Sequence, residues 1–148
     1  MTDWNERFMQ LAQYIAGWSK DRSTGVGCVL VGTGHNVVAM GYNGFPRGCN
    51  DSVEARHERP LKYMWTEHAE RNAIYNAARN GVQLQGCSAY VYFSGGPCAD
   101  CARALAQAGI STVFIRPMKD NPRWSENLSQ GESILRECGV HVEVINLI

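Results

Sequence analysis

The chain has 148 residues, 45% of them hydrophobic, which fits a single domain with its own core, residues 1–148, and argues against disorder. Lys plus Arg and Asp plus Glu both number 14, so the net charge is zero and a broad phosphate-binding face for long nucleic acid is excluded as an expectation. No apolar run approaches the roughly 20 residues that cross a bilayer, and MTDWNERFMQ lacks an apolar signal core, so no membrane partner and a cytoplasmic location are expected.

Trp4, Phe8, Leu11, Ala12, Ile15 and Trp18 recur at spacings of three and four, which predicts an amphipathic helix over about 3–18. VGCVLVG (26–32) and NVVAMGYN (36–43) around TGH read as a β-hairpin. Residues 44–65 show little periodicity and read as a long functional loop. Thr66 can cap a helix to about Asn80 that stops at Gly81. SAYVYF (88–93) is a strand, and Pro97 suits the first turn of a helix that ends before Gly109. STVFIR (111–116) is a strand and 117–124 an irregular loop. Ser125 can cap a last helix with Leu128, Ile134, Leu135 and Cys138 inward, and VHVEVINLI closes as a strand. Alternating strands and helices in the second half imply right-handed parallel crossovers, so the expected fold is α/β, a mixed five-stranded sheet with helices on both faces.

Six cysteines in a chain with no secretory signal speak for metal or redox chemistry before disulfides. Cys98 and Cys101, three apart, share one face of a helix, and a helix start favours the thiolate form that binds zinc. His68, at another helix start, can supply a third ligand. Three protein ligands leave a tetrahedral ion one open position, the mark of a catalytic zinc, and Glu70 is the base that would serve its water. Alone, each element has a plainer meaning: a redox pair or buried thiols, a surface histidine, a favourable charge at a helix N-terminus. Together, H-x-E at one helix start and P-C-x-x-C at another match the signature of zinc-dependent nucleobase deaminases.

The sequence resembles the deoxycytidylate (dCMP) deaminase family of the cytidine deaminase-like superfamily over nearly its whole length. The resemblance is carried by SKDRSTGVGCVLVG, GYNGFPRG, HAERNAIYNAAR and GPCADCARALAQAGISTVF. It implies a three-layer α/β/α cytidine deaminase-like fold, one Zn²⁺ per chain held by His68, Cys98 and Cys101, and hydrolysis of dCMP to dUMP and ammonia. Glu70 would move the protons, Asn43 would contact the sugar and the Ala69 main chain would border the base. It also implies a homo-oligomer, dimer or hexamer, with dCTP and dTTP as effectors near GYNGFP. A 5′-phosphate needs cations, and Lys20, Arg22, Arg47, Arg59 and Lys62 lie in the two loops expected near the pocket. Gly95 and Gly96 precede the cysteine motif and are expected to shape the pocket floor. Three rival readings are a deaminase for dCTP, cytidine or guanine, a silent nucleotide-binding regulatory subunit, and a Cys-x-x-Cys redox protein. A regulatory subunit has no use for Glu70, and a redox protein has none for His68-Ala69-Glu70.

Overall fold

The computed structural model describes residues 3–147; Met1, Thr2 and Ile148, at the ends of the expected domain, lie outside it. Its elements run α1 (Trp4–Ala16), β1 (Gly27–Val31), β2 (Val37–Tyr42), α2 (Lys62–Trp65), α3 (Ala69–Arg79), β3 (Ser88–Ser94), α4 (Ala99–Gln107), β4 (Thr112–Arg116), α5 (Ser125–Glu137) and β5 (His141–Val144). The strands form one sheet in the order β2-β1-β3-β4-β5. β1 pairs antiparallel with both β2 and β3, while β3, β4 and β5 run parallel. This is the mixed five-stranded sheet that the alternation of patterns implies.

Alternation along the strands sorts the core into two layers. Val29, Val31, Tyr90 and Phe114 face Phe8, Met9, Ala12 and Ile15 of α1. Cys28, Leu30, Val91, Val113 and Ile115 face the opposite way, against α3, α4 and α5. Helices therefore cover both faces, one below and three above. Every residue of β1 is buried because the strand is central and covered on both sides. A fully buried aliphatic side chain such as Leu105 contributes roughly 2 kcal/mol by leaving water.

α3 lies unusually close to the sheet. Its contact residues Ala69, Ala73 and Ala77 are small and fully buried. Gly41 on β2 permits the approach, because a Cβ there would stand 2.4 Å from the Ala73 nitrogen and 2.5 Å from the Ala69 oxygen. Two asparagines of the same helix reach past the sheet border. Asn76 Nδ2 donates to the Met40 carbonyl at 2.7 Å and Asn72 Nδ2 to the Tyr42 carbonyl at 2.9 Å.

Six local expectations change. The stretch 44–65 is a loop only in part, since Glu54–His57 forms a 3-10 turn and Lys62–Trp65 a short helix. Thr66 does not cap α3; the helix starts at Ala69 with His68 in the extended cap position. Pro97 likewise precedes the cap of α4, which is Cys98, and Ser125 is the first residue of α5, capped from Trp124 without a side-chain bond. Cys138 is exposed, as the residue just after the last turn of α5. Trp4 and Trp18 are also exposed, at 46% and 52%, so the buried stripe of α1 is narrower than its periodicity.

Candidate active site

His68 and Cys98 occupy matching places: each is the extended residue immediately before a helix, and neither side chain caps its own helix. Both side chains are turned to a common point instead. His68 Nδ1 lies 3.3 Å from Cys98 Sγ and 3.4 Å from Cys101 Sγ, and the three donor atoms all fall within 4.8 Å of one another. Zinc bonds of about 2.3 Å to sulfur and about 2.0 Å to nitrogen put tetrahedral donors roughly 3.5 Å apart, so the residues present fit a zinc ion. The positive ends of α3 and α4 converge there and favour anionic sulfur.

The sulfurs are not equivalent. The hydrogen bond from Cys101 draws Cys98 down to about 4 against the effect of burial, and His68 assists. The same hydrogen bond and burial push the Cys101 thiol up. Of the two, Cys98 is the sulfur the site favours as thiolate. His68 is raised by its hydrogen bond to Cys98, burial notwithstanding. Metal uptake by such a donor set releases protons.

Glu70 is 4% exposed, and burial pushes its carboxyl up while the His68 imidazole opposes the shift. A regular helix would point residues 68 and 70 apart. Here His68 stands outside the helix, and His68, Ala69 and Glu70 line a single cleft of about 160 Å³. Phe93, Trp124 and Leu128 supply an apolar wall, with the Trp124 ring edge-on to His68 at 6.2 Å. Gly96 is in the wall, and a Cβ on Gly95 would meet Met118 Sδ at 2.6 Å, so the pair keeps the floor close-packed.

Asn43 is buried and lines the cleft. Its Oδ1 accepts from the Val26 N–H at 2.8 Å and its Nδ2 donates to the Thr24 carbonyl at 2.9 Å, so it also pins the 24–26 segment. The expected cations divide. Lys20 pairs with Asp51 at 2.7 Å, Arg22 with Glu54 at 2.7 Å, and Arg47 donates to Asn76 Oδ1; these three line a second cavity of about 230 Å³ beside the GYNGFP loop. Arg59 does line the cleft, donating to Tyr63 Oη at 2.8 Å and Ser23 Oγ at 3.3 Å. Lys62 lines both cavities and lies 3.0 Å from Asp21 Oδ1, with the two side chains 11% and 7% exposed.

The Asp21–Lys62 pair makes part of the wall between the cavities. Burial lifts the Asp21 carboxyl, but the Thr24 N–H, Lys62 and the Ser23 N–H outweigh it and hold the group below its ordinary value. Its contribution is therefore complete above the ordinary value of 3.8 and is lost as pH falls through the lowered one. Asp21→Ala leaves a buried ammonium alone and is expected to cost about 3 kcal/mol in urea unfolding at pH 7. Asp51→Ala, at an exposed pair, should scarcely move the midpoint; equal shifts for the two would refute the distinction.

Asn121, Arg123 and Tyr63 also line the cleft, and the sequence reading passed over all three. The available signal was topological: 117–124 follows the parallel strand β4, and open α/β sheets bind ligands beyond the carboxyl ends of their strands.

A soft three-donor centre sharing a cleft with a buried acid is the equipment of a zinc-dependent aminohydrolase. The chain belongs to the cytidine and deoxycytidylate deaminase family, whose zinc-binding region matches residues 2–116. It is 39% identical over 145 residues to an uncharacterized deaminase in the luxG 3′ region of Aliivibrio fischeri, covering 96% of this chain and 93% of that one. It is 38% identical over 143 residues to mouse (Mus musculus) deoxycytidylate deaminase, covering 93% and 77%. The crystal structure of dCMP deaminase from the cyanophage S-TIM5 in complex with dCMP and dUMP superposes with a TM-score of 0.77, at 26% identity over 95% of each chain.

Proposed function

We propose that the protein hydrolyses dCMP to dUMP and ammonia. The observation that carries this reading is that His68, Cys98 and Glu70 line one cleft, with Cys101 completing the three-donor group behind it, in a chain similar to deoxycytidylate deaminases over 93% of its length. His68 Nδ1, Cys98 Sγ and Cys101 Sγ would hold the zinc. Bound zinc supplies the Lewis acidity that makes water a nucleophile at neutral pH. Glu70 would take one proton from the attacking water and place it on N3, then take the second from the new C4 hydroxyl and pass it to the amino nitrogen as the C4–N4 bond breaks, leaving the uracil carbonyl and ammonia. Its burial suits the task, since a carboxyl with a raised pKa is a better proton acceptor than an exposed one. The Ala69 main chain borders the base, Asn43 faces the sugar, and Phe93 and Trp124 exclude water from the ring.

The 5′-phosphate goes to Arg59 and Arg123. Among the described residues neither guanidinium reaches a carboxylate, whereas Lys20, Arg22 and Lys62 are all paired. Arg123→Ala and Arg59→Ala are each expected to lower kcat/KM for dCMP by roughly 10-fold or more, the loss of one charged hydrogen bond. Turnover of deoxycytidine, which lacks the phosphate, should not change. A screen over dCMP, CMP, dCTP, cytidine and guanine tests the substrate itself; preference for any other member would overturn the reading.

The remaining features extend the same reading. Residues 1–148 are one deaminase domain working in the cytoplasm as a homo-oligomer, dimer or hexamer. Tyr14, Trp18 and Met64, exposed at 69%, 52% and 83%, support burial between copies. The second cavity places Trp18, Tyr42 and Phe45 beside Arg47, which meets no carboxylate among the described residues, and this supports dCTP and dTTP as effectors there.

A further inference from the structure

Cys98 stands where a helix cap would stand, but its sulfur faces His68 Nδ1 and leaves the first amides of α4 without its help. At α3 the need is met by the next-door residue, since Glu67 Oε1 accepts from the His68 N–H at 3.0 Å. At α4 it is met from another helix. Asn127 Oδ1, on α5, accepts from the Ala99 N–H at 2.8 Å. One turn further along α5, Gly131 lies directly on the ligand's own backbone. A Cβ there would stand 2.4 Å from the Pro97 oxygen, 3.1 Å from the Cys98 carbonyl carbon and 3.2 Å from its oxygen. Leu128, between the two, is fully buried and packs with Cys98 and Cys101.

We infer that α5 is a clamp for the metal centre, in which Gly131 and Asn127 are positioning residues that fix the Pro97–Ala99 backbone and through it the Cys98 sulfur. This helix lies beyond residues 2–116, the stretch that matches the family. The clamp rests on the zinc reading above and adds two residues that bind neither metal nor substrate. Its mechanics are steric and local. The groups facing Gly131 are main-chain atoms, which cannot swing aside as a flexible side chain would. A methyl group there must displace Cys98 or lift α5.

Removal of zinc from the loaded protein by a chromophoric chelator, with melting of the metal-stripped protein alongside, tests the clamp. Gly131→Ala is expected to weaken zinc binding about 10-fold or more, as changes just outside a ligand shell do. Helix propensity alone says the opposite, that alanine strengthens α5. Asn127→Ala folds in either case and is expected to give a smaller, several-fold loss, which Asn127→Asp, keeping an acceptor oxygen, restores. Asp3→Ala removes the cap of α1, whose Oδ1 accepts from the Glu6 N–H at 2.7 Å, and should lower the melting temperature with unchanged zinc affinity. Wild-type zinc affinity in both the Gly131 and Asn127 variants, or an equal loss in Asp3→Ala, overturns the clamp while leaving the centre intact. A wild-type protein that takes up no zinc overturns both.

Discussion

Glu70→Gln is expected to give a folded, zinc-loaded protein that releases no measurable ammonia from dCMP. Glutamine keeps the shape and burial of the side chain, which is 4% exposed, so α3 and its packing on the sheet persist. It cannot carry a proton between water, N3 and the leaving amine, and such transfers are worth about 10²–10⁴-fold in rate. Stability should move the other way. Burial raises the Glu70 carboxyl, so its folding contribution is present at low pH and is lost as pH rises from 4.5 through the raised value. In metal-stripped protein at neutral pH the glutamine variant should melt no lower than the wild type, because a buried charge has been removed. Ammonia release together with zinc content measures both halves. A variant that turned over dCMP at the native rate would show that Glu70 does not move the proton.

Cys98→Ala is expected to lose zinc and stability together. Removing a ligand should weaken binding by more than the roughly 100-fold seen for residues just outside the ligand shell. Metal that binds only the folded chain adds about 4 kcal/mol when present at 1,000 times its Kd, and that increment should vanish. The melting temperature of the wild type should therefore rise with added zinc, and that of Cys98→Ala should not. Cys138→Ala, at an exposed thiol, is the control and should leave both readings at wild-type values. Full metal content in Cys98→Ala by mass spectrometry would remove the residue from the centre.

The site's core was legible because its logic is local. Each element alone has a plainer meaning, but a thiol pair three apart at one helix start together with a histidine and a glutamate two residues apart at another makes a combination that short stretches of sequence display. The sheet was legible for a similar reason, since strands and helices alternate at lengths that leave few topologies. What escaped was decided by distant partners. Lys62 meets Asp21 and Lys20 meets Asp51 across 41 and 31 residues, so the division of cations between two cavities has no local trace. The start of α3 was misplaced because Thr66 is a good cap by type, whereas His68 takes the cap position and spends its side chain elsewhere. The helix at Lys62–Trp65 is a single turn, too short for a period to show.

The asparagines of α3 that bond Met40 and Tyr42 have a bearing on failure as well as on function. Strand addition, the usual way one sheet fuses with another, finds those two acceptors already taken. The segment that brings Glu70 to the cleft is thus also the seal on the sheet's rim. Substitutions that unravel it should yield clumped protein instead of inert dissolved protein, so solubility and catalysis would decline in step.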